Sequence, residues 1–398
     1  KVAIVGSGIS GLAAAHTLHR QADLTLFEAA DYFGGHTHTV DITLPTPKGP
    51  RTHGIDTGFL VFNERTYPRL IQLFEELDIE TAPSDMSFSV QAAGALNGRT
   101  LEWSGCDLDT VFAQRANLVN PRFIRMLRDL LRFNAMCTRI AKTNRDADLM
   151  QPLSDFLQQH RFSAEFRDWY FLPMLGCIWS CPTDQMLQFP VATMIRFCHN
   201  HGLIQVSNRP QWWTVKGGAR HYVDRITAAI TDKRLKTPVR RIERDPGKAR
   251  GGVRITTDKG TEIFDKVIVA THSDQSLAML QDPSGEERET LGAIRYQPNR
   301  AVLHTDTSVL PQNSKAWAAW NYERAPSADA EASRVCLHYL INRLQPLPFE
   351  QPVLVSLNPA RAIDPEKILG TFDYEHPVFD QAAIGAQSRT GALQGRRH

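Results

Sequence analysis

Three glycines, Gly6, Gly8 and Gly11, stand between a short apolar run and a helix-forming stretch, and an acid, Glu28, follows 17 residues after the last of them. Each glycine suits a different physical task. Gly6 permits a tight turn, Gly8 lets the backbone approach a ligand, and Gly11, just after Ser10, lets a helix pack close to a strand. The ligand such a turn takes is a pyrophosphate, which the free N–H groups and positive end of a helix stabilise. Glu28 can accept hydrogen bonds from both hydroxyls of an adenosine ribose, which disfavours a 2′-phosphate. The chemistry implied is the capture of a dinucleotide.

These residues need a particular scaffold. Val2 to Val5 is apolar and β-branched, as a buried parallel strand requires. Leu12 to Arg20 reads as a helix whose face Ala15 keeps small, and Asp23 to Phe27 reads as a second strand ending on the acid. Strand, glycine turn, helix, strand and acid in this register read as a Rossmann-type domain, so the fold class expected is α/β.

The turn alone does not separate a flavin from a nicotinamide dinucleotide. Further on lie Asp31-Tyr32-Phe33-Gly34-Gly35-His36-Thr37-His38-Thr39 and Gly54-Ile55-Asp56-Thr57-Gly58-Phe59-Leu60-Val61-Phe62-Asn63. With the first turn, these strings resemble the flavin amine oxidase and phytoene desaturase superfamily. The resemblance implies FAD in a glutathione-reductase-like domain. Gly34 and Gly35, followed by His36 and Thr37, would wrap the pyrophosphate, and the segment through Gly58, Phe59 and Leu60 would meet the isoalloxazine. The family usually carries Arg after the double glycine, where this chain has His36. An arginine is a permanent cation; a histidine supplies a hydrogen bond and a conditional charge.

The second half of the domain reads through as well. Trp213 to Ala219 leads into a helix over Tyr222 to Ile230, then to Val239, which in this superfamily meets the adenine through its backbone. Strand-like runs Gly252 to Thr257 and Glu262 to Phe264 follow, and Lys266 to Val269 closes on Ala270-Thr271-His272. The flavin domain is therefore expected from residues 1–85 and 212–282. Residues 86–211 and 283–398 are expected to form an interleaved α+β substrate domain.

Four further strings sharpen the likeness: Arg65-Thr66-Tyr67-Pro68, Ser84 to Val90, Ile178-Trp179-Ser180-Cys181-Pro182 and Arg209-Pro210-Gln211-Trp212. They resemble bacterial FAD-dependent oxidoreductases and the flavoprotein domain ahead of plant cyclopropane-fatty-acid synthases. That resemblance implies a lipid acyl substrate and a fatty-acyl-modifying partner enzyme. It also implies a C-terminal flavin-contacting segment, expected to be absent because the chain ends at Gln394 to His398 where that segment would start.

Composition bounds the rest. The 398 residues are 42% hydrophobic and 22% charged with net charge +2, so no global field points to nucleic acid. No apolar run reaches the ~18 residues that span a bilayer. Cysteines 106, 137, 177, 181, 198 and 336 are too scattered for a metal site, and none is expected. Reduced thiols, with no leader ahead of Val2, suggest the cytoplasm, and the inner membrane face enters through one segment. Between residues 115 and 145 stand Arg115, Arg122, Arg125, Arg128, Arg132, Arg139, Lys142 and Arg145 against the single acid Asp129. Phe123, Leu127, Leu130, Leu131 and Ile140 interleave. This reads either as a basic amphipathic helix lying on an anionic membrane or as a solvated helix packed on the domain.

Helices are expected from Asp107 to His201, and short strands at Ala301 to Thr305, Ala316 to Trp320, Val335 to Ile341 and Val353 to Leu357. Trp179, Cys181, Trp212 and Trp213 are candidates for an apolar substrate pocket or for plain core. No general base stands out. The flavin would exchange a hydride with a substrate carbon while the protein orients the two. The readings are an oxidoreductase of fatty acyl chains, an amine or amino-acid oxidase, and a non-catalytic flavin-fold module regulating a lipid-modifying partner.

Overall fold

A computed structural model describes residues 1–143, 151–180, 182–205, 209–244, 252–324 and 335–395. A four-stranded parallel sheet runs in the order Asp232–Arg234, Leu24–Phe27, Val2–Val5, Lys266–Val269. Successive side chains of a strand point to opposite faces, and both faces here are covered. Ile4 and Leu26 pack with Leu12, Ala15, Tyr222 and Ile226 from the helices Ile9–Leu18 and Arg220–Ala228. Ala3, Val5 and Phe27 pack with Val239, Ile242, Ile255 and Phe264. Those four come from an antiparallel meander, Val239–Arg244, Val253–Thr257 and Gly260–Phe264. Burial on both sides explains why the two central strands, Leu24–Phe27 and Val2–Val5, are largely apolar rather than alternating, while the edge strand Asp232–Arg234 is charged.

A second, seven-stranded sheet has the order Ile368–Pro377, Tyr296–His304, Leu354–Leu357, Cys336–Leu340, Trp320–Glu323, Phe88–Leu96, Arg99–Ser104. Trp320–Glu323 and Phe88–Leu96 pair in parallel and the other neighbours are antiparallel. Its inner face shares a core with the helices between residues 121 and 200, through Val90, Trp103, Phe133, Phe171, Leu337 and Val355. The hairpin Thr39–Leu44 with Arg51–Asp56, and a small sheet of Phe62–Asn63, Trp212–Val215 and Thr81–Ser84, connect the two bodies.

Three expectations change. Ala316 to Trp320 is not a strand: a 3-10 turn covers Ser314–Ala316, where the Asn313 side chain accepts Lys315 N–H, and the strand is Trp320–Glu323. Strands Phe88–Leu96, Arg99–Ser104 and Ile368–Pro377 were not foreseen. The basic run is not one element. Arg115 lies in a 3-10 turn, Arg115–Val119, the helix is Pro121–Thr143, and Arg145 lies outside the described residues. Phe123 is fully buried and Leu127, Leu130 and Ile140 pack against the core, so these four are spent on the protein itself, whereas Leu131 is exposed.

Candidate functional site

The strand Val2–Val5 delivers the chain to Gly6 at φ +97°, and Gly8 caps the helix Ile9–Leu18 without a side chain. The glycines divide their work as geometry requires. A Cβ on Gly6 would fall 2.6 Å from the Ala270 carbonyl oxygen, and one on Gly11 would fall 1.9 Å from the Gly6 carbonyl oxygen. A Cβ on Gly8 would meet nothing within 4 Å. Gly6 and Gly11 thus let backbone pack on backbone, whereas Gly8 faces open space at a helix N-terminus whose first N–H groups have no partner in the helix.

That space is a cavity of about 840 Å³. Gly6, Gly8, Ser10, Glu28, Gly34, Gly35, His36, Thr37, Phe59, Val239, Ala270 and Thr271 all line it. Three expected contacts lie outside the lining. Gly11 is buried under the loop; Gly58 is pressed on His36, its Cβ position 2.3 Å from the His36 carbonyl oxygen; Leu60 is 7% exposed in the core. The lining also holds Tyr67, Leu70, Tyr222, His272, Gln275 and Met279, which sequence reasoning missed. Tyr222 and His272 bordered recognised motifs, and that adjacency was the available signal.

Glu28 is fixed at one end. Ser7 N–H and the Ser7 hydroxyl donate to its Oε2 (2.9 and 2.5 Å), and Ala30 N–H donates to Oε1 (2.9 Å). A carboxylate offers about four acceptor positions, so it still has capacity for a ribose hydroxyl. Thr237 N–H donates to the Glu28 carbonyl at 2.9 Å, which lays Thr237 to Val239 beside the acid. Glu28 and Arg240 are the only residues of the lining with a permanent charge, and both stand at this end.

The other end is aromatic and imidazole-rich. Tyr222 is hydrogen-bonded to the Thr37 hydroxyl, and Phe59 N–H donates to the His36 carbonyl. The His36 ring lies 5.1 Å from Tyr374, 5.3 Å from His376 and 6.3 Å from His272. Burial, reinforced by His272, lowers the His36 pKa; burial with His36 and His272 as neighbours takes His376 to about 4. The His36 and His376 rings are neutral near pH 7. His36 Nε2 is buried without a hydrogen-bond partner. An unpartnered imidazole nitrogen beside an open helix N-terminus, with a fixed acid at the far end, fits a dinucleotide pyrophosphate.

Of the four candidate pocket residues, the three that are described do not line this cavity. Trp179 is 7% exposed and packs on Phe189 and Phe197; Trp212 is 8% exposed and stacks on His201. Trp213 alternates to the opposite side of its strand and lines a separate cleft of about 300 Å³ with Phe62, Ile71 and Phe74. Cys181 lies outside the described residues. Cys137, Cys177, Cys198 and Cys336 are buried and Cys106 is exposed; burial pushes the Cys198 thiol up to about 12.

Among the described residues one group, Glu323, Cys336 and His338, has metal-ligand chemistry. Its hydrogen bonds are already assigned. Asp306 N–H donates to His304 Nδ1, so His304 Nε2–H points to Ser356 Oγ (2.6 Å). The Ser356 hydroxyl then donates to His338 Nδ1 (2.6 Å), which leaves His338 Nε2–H for Glu323 Oε2 (2.9 Å). Arg361 neutralises the other Glu323 oxygen at 2.7 Å. The nitrogen a metal would need is committed.

The chain is similar to known proteins. The family described as flavin containing amine oxidoreductase matches residues 9–343. AofH of Mycobacterium tuberculosis, which carries the name of a flavin-containing monoamine oxidase, is 26% identical over 297 residues, 71% of this chain. The match spans 59% of that relative's own length. Among solved structures, a CLA-producing fatty acid isomerase from P. acnes superposes with a TM-score of 0.65 at 16% identity, over 100% of this chain and 91% of that one. Cyclohexylamine oxidase from Brevibacterium oxydans superposes with a TM-score of 0.63 at 17% identity, over 97% and 90%. At such identities the likeness is one of fold.

Proposed function

This chain belongs to the family of flavin-containing amine oxidoreductases, and from that premise we propose that it is an FAD-dependent oxidoreductase acting on unsaturated or modified fatty acyl chains of membrane lipids. Glu28 and Val239 would hold the adenosine, Gly8, Ser10 and His36 the pyrophosphate. When bound, FAD supplies a hydride acceptor or donor. The chain's own residues orient it, keep water out through Phe59, Leu70 and Tyr222, and place His36 and Thr37 among the polar groups beside it.

One observation carries the acyl reading: beyond the adenosine end, the cavity lining holds no residue of permanent charge. An ammonium or carboxylate substrate entering there would be desolvated without a counter-ion, which is costly; an acyl chain would not. The fatty acid isomerase of similar fold accords with this reading. Amine oxidation is the second reading. It is favoured by the family's name and by Phe59, Tyr67 and Tyr222 in the lining, whose ring faces could hold an ammonium.

The test is anaerobic titration of the purified, FAD-loaded protein, followed by loss of the flavin absorbance. Unsaturated phospholipid or fatty acid in detergent should bleach the flavin and primary amines should not. The reverse pattern establishes the amine reading. A protein that purifies without flavin and takes up none would leave the regulatory module.

A further inference from the structure

The outward face of the helix Pro121–Thr143 takes no part in the flavin cavity or the core. Pro121, Ile124, Arg125, Arg128, Leu131, Arg132, Ala135, Arg139 and Lys142 recur at three- and four-residue steps, within an arc of about 120° on a helix of 3.6 residues per turn. No acid lies on that arc. The 3-10 turn before it, Arg115–Val119, adds Leu118 and Val119. Ile124 is 42% exposed, Leu131 57%, Leu118 52% and Val119 85%. With Leu108, these make five of the nine large hydrophobic residues that are exposed among the described residues, so apolar exposure is concentrated where the cations are.

The cations fall into two groups. Arg122 and Arg125 reach Glu165 at 2.9 and 3.7 Å; Arg132 reaches Asp129 at 3.1 Å and lies over the Phe162 ring at 4.1 Å. The contacts with Glu165 and Phe162 fasten the helix to the body. Arg128, Arg139 and Lys142 pair with no acid among the described residues, and all three project from the exposed arc.

We propose that this face docks the protein on an anionic lipid surface, with Arg128, Arg139 and Lys142 on the headgroups and Leu118, Val119, Ile124 and Leu131 entering the boundary of the acyl chains. An acidic protein surface would match the cations but set four apolar side chains against charge. A bilayer interface satisfies both. Among the described residues no helix is long and apolar enough to cross a membrane, and docking of this kind needs none. The proposal deepens the acyl reading by naming where the substrate is met, but its geometry stands without that reading.

The experiment is sedimentation of the full chain, loaded with FAD, on vesicles of phosphatidylcholine alone or mixed with phosphatidylglycerol. The unmodified protein should pellet with the anionic vesicles and be released as salt rises to about 1 M, where the screening length falls to ~3 Å. Replacing Arg128, Arg139 and Lys142 together by Gln should weaken binding roughly a hundredfold, about fivefold for each cation. Leu118→Ser with Val119→Ser should weaken it at least tenfold with the charges intact. Equal pelleting on both kinds of vesicle, or wild-type binding by both variants, overturns the proposal. Flavin reduction by detergent-dispersed lipid, read on the same samples, separates the two ideas. Reduction without docking rejects this face alone, and docking without reduction rejects the acyl substrate alone.

Discussion

Glu28 Oε2 accepts both the N–H and the hydroxyl of Ser7, so the acid at the end of the second strand is tied to the glycine turn at the end of the first. Ser7 in turn accepts Gly34 N–H through its carbonyl and its hydroxyl oxygens (3.1 and 3.2 Å). Changing Glu28 to Ala should therefore do two things: remove acceptors for ribose, and loosen both glycine turns. Charged hydrogen bonds contribute ~1.5–3 kcal/mol each, so FAD affinity measured by fluorescence should fall at least tenfold. Ser7→Ala removes one such bond but leaves the carboxylate for ribose, so it should weaken FAD affinity less than Glu28→Ala does.

The glycines should separate under substitution. Gly8→Ala places its methyl in open cavity and at an ordinary φ of −62°. The melting temperature of the FAD-free protein should hardly move, while FAD retention should be lost. Gly11→Ala drives a methyl into the Gly6 carbonyl, and such overpacking costs ~1–3 kcal/mol or more. It should lower the melting temperature before any cofactor is added. Equal effects of the two on the FAD-free protein would contradict the division of labour.

His36 predicts a pH dependence. Burial and His272 hold its pKa below the usual value, with His376, Tyr374 and Glu375 packed around it. A bound diphosphate raises the pKa of a neighbouring imidazole, so FAD binding takes up a proton and tightens as pH falls. Between about pH 8 and pH 6, FAD affinity should rise by up to tenfold per pH unit per proton. The slope should shrink in His36→Gln. In His36→Arg the binding should be tight across the range.

Asp56 tests the junction between the two bodies. It is 1% exposed, accepts Ala219 N–H at 2.9 Å, the Thr39 hydroxyl at 2.5 Å and Gln345 Nε2 at 2.8 Å, and so caps the helix Arg220–Ala228. Asp56→Ala would orphan two buried donors, Ala219 N–H and Gln345 Nε2, at ~1–3 kcal/mol each, and the half-buried Thr39 hydroxyl. A loss of about 3 kcal/mol or more is expected in chemical denaturation, well beyond an ordinary surface change.

The parts of the site that were legible in the sequence are local. Gly6, Gly8 and Glu28 belong to one strand–helix–strand unit, and buried parallel strands write themselves as unbroken apolar runs. The cluster of His36, His272, Tyr374 and His376 was not legible, because it joins three segments that only the two sheets bring together. Strand Ile368–Pro377 escaped notice for a different reason. It is an edge strand with a single buried residue, Tyr374, and a register shift, so it shows neither an apolar run nor clean alternation. Trp179 and Trp212 were ambiguous in principle, since an aromatic side chain has the same type in a tunnel wall as in a core.

Residues 6 to 10 line the cavity, and Ala270 and Thr271, which line it beside them, join them through the pairing of Val2–Val5 with Lys266–Val269. The hairpin of Phe88–Leu96 and Arg99–Ser104 likewise waits for Trp320–Glu323 before its inner edge is covered. On a ribosome adding about 5–20 residues each second, the first strand therefore spends more than ten seconds with an open edge before its partner is made. Pairings so distant along the chain are slow to close and expose unpaired strands meanwhile. Nascent chains of this protein are accordingly expected to need shielding during synthesis, and halting translation before residue 266 leaves the nucleotide turn without the Ala270 and Thr271 side of its cavity.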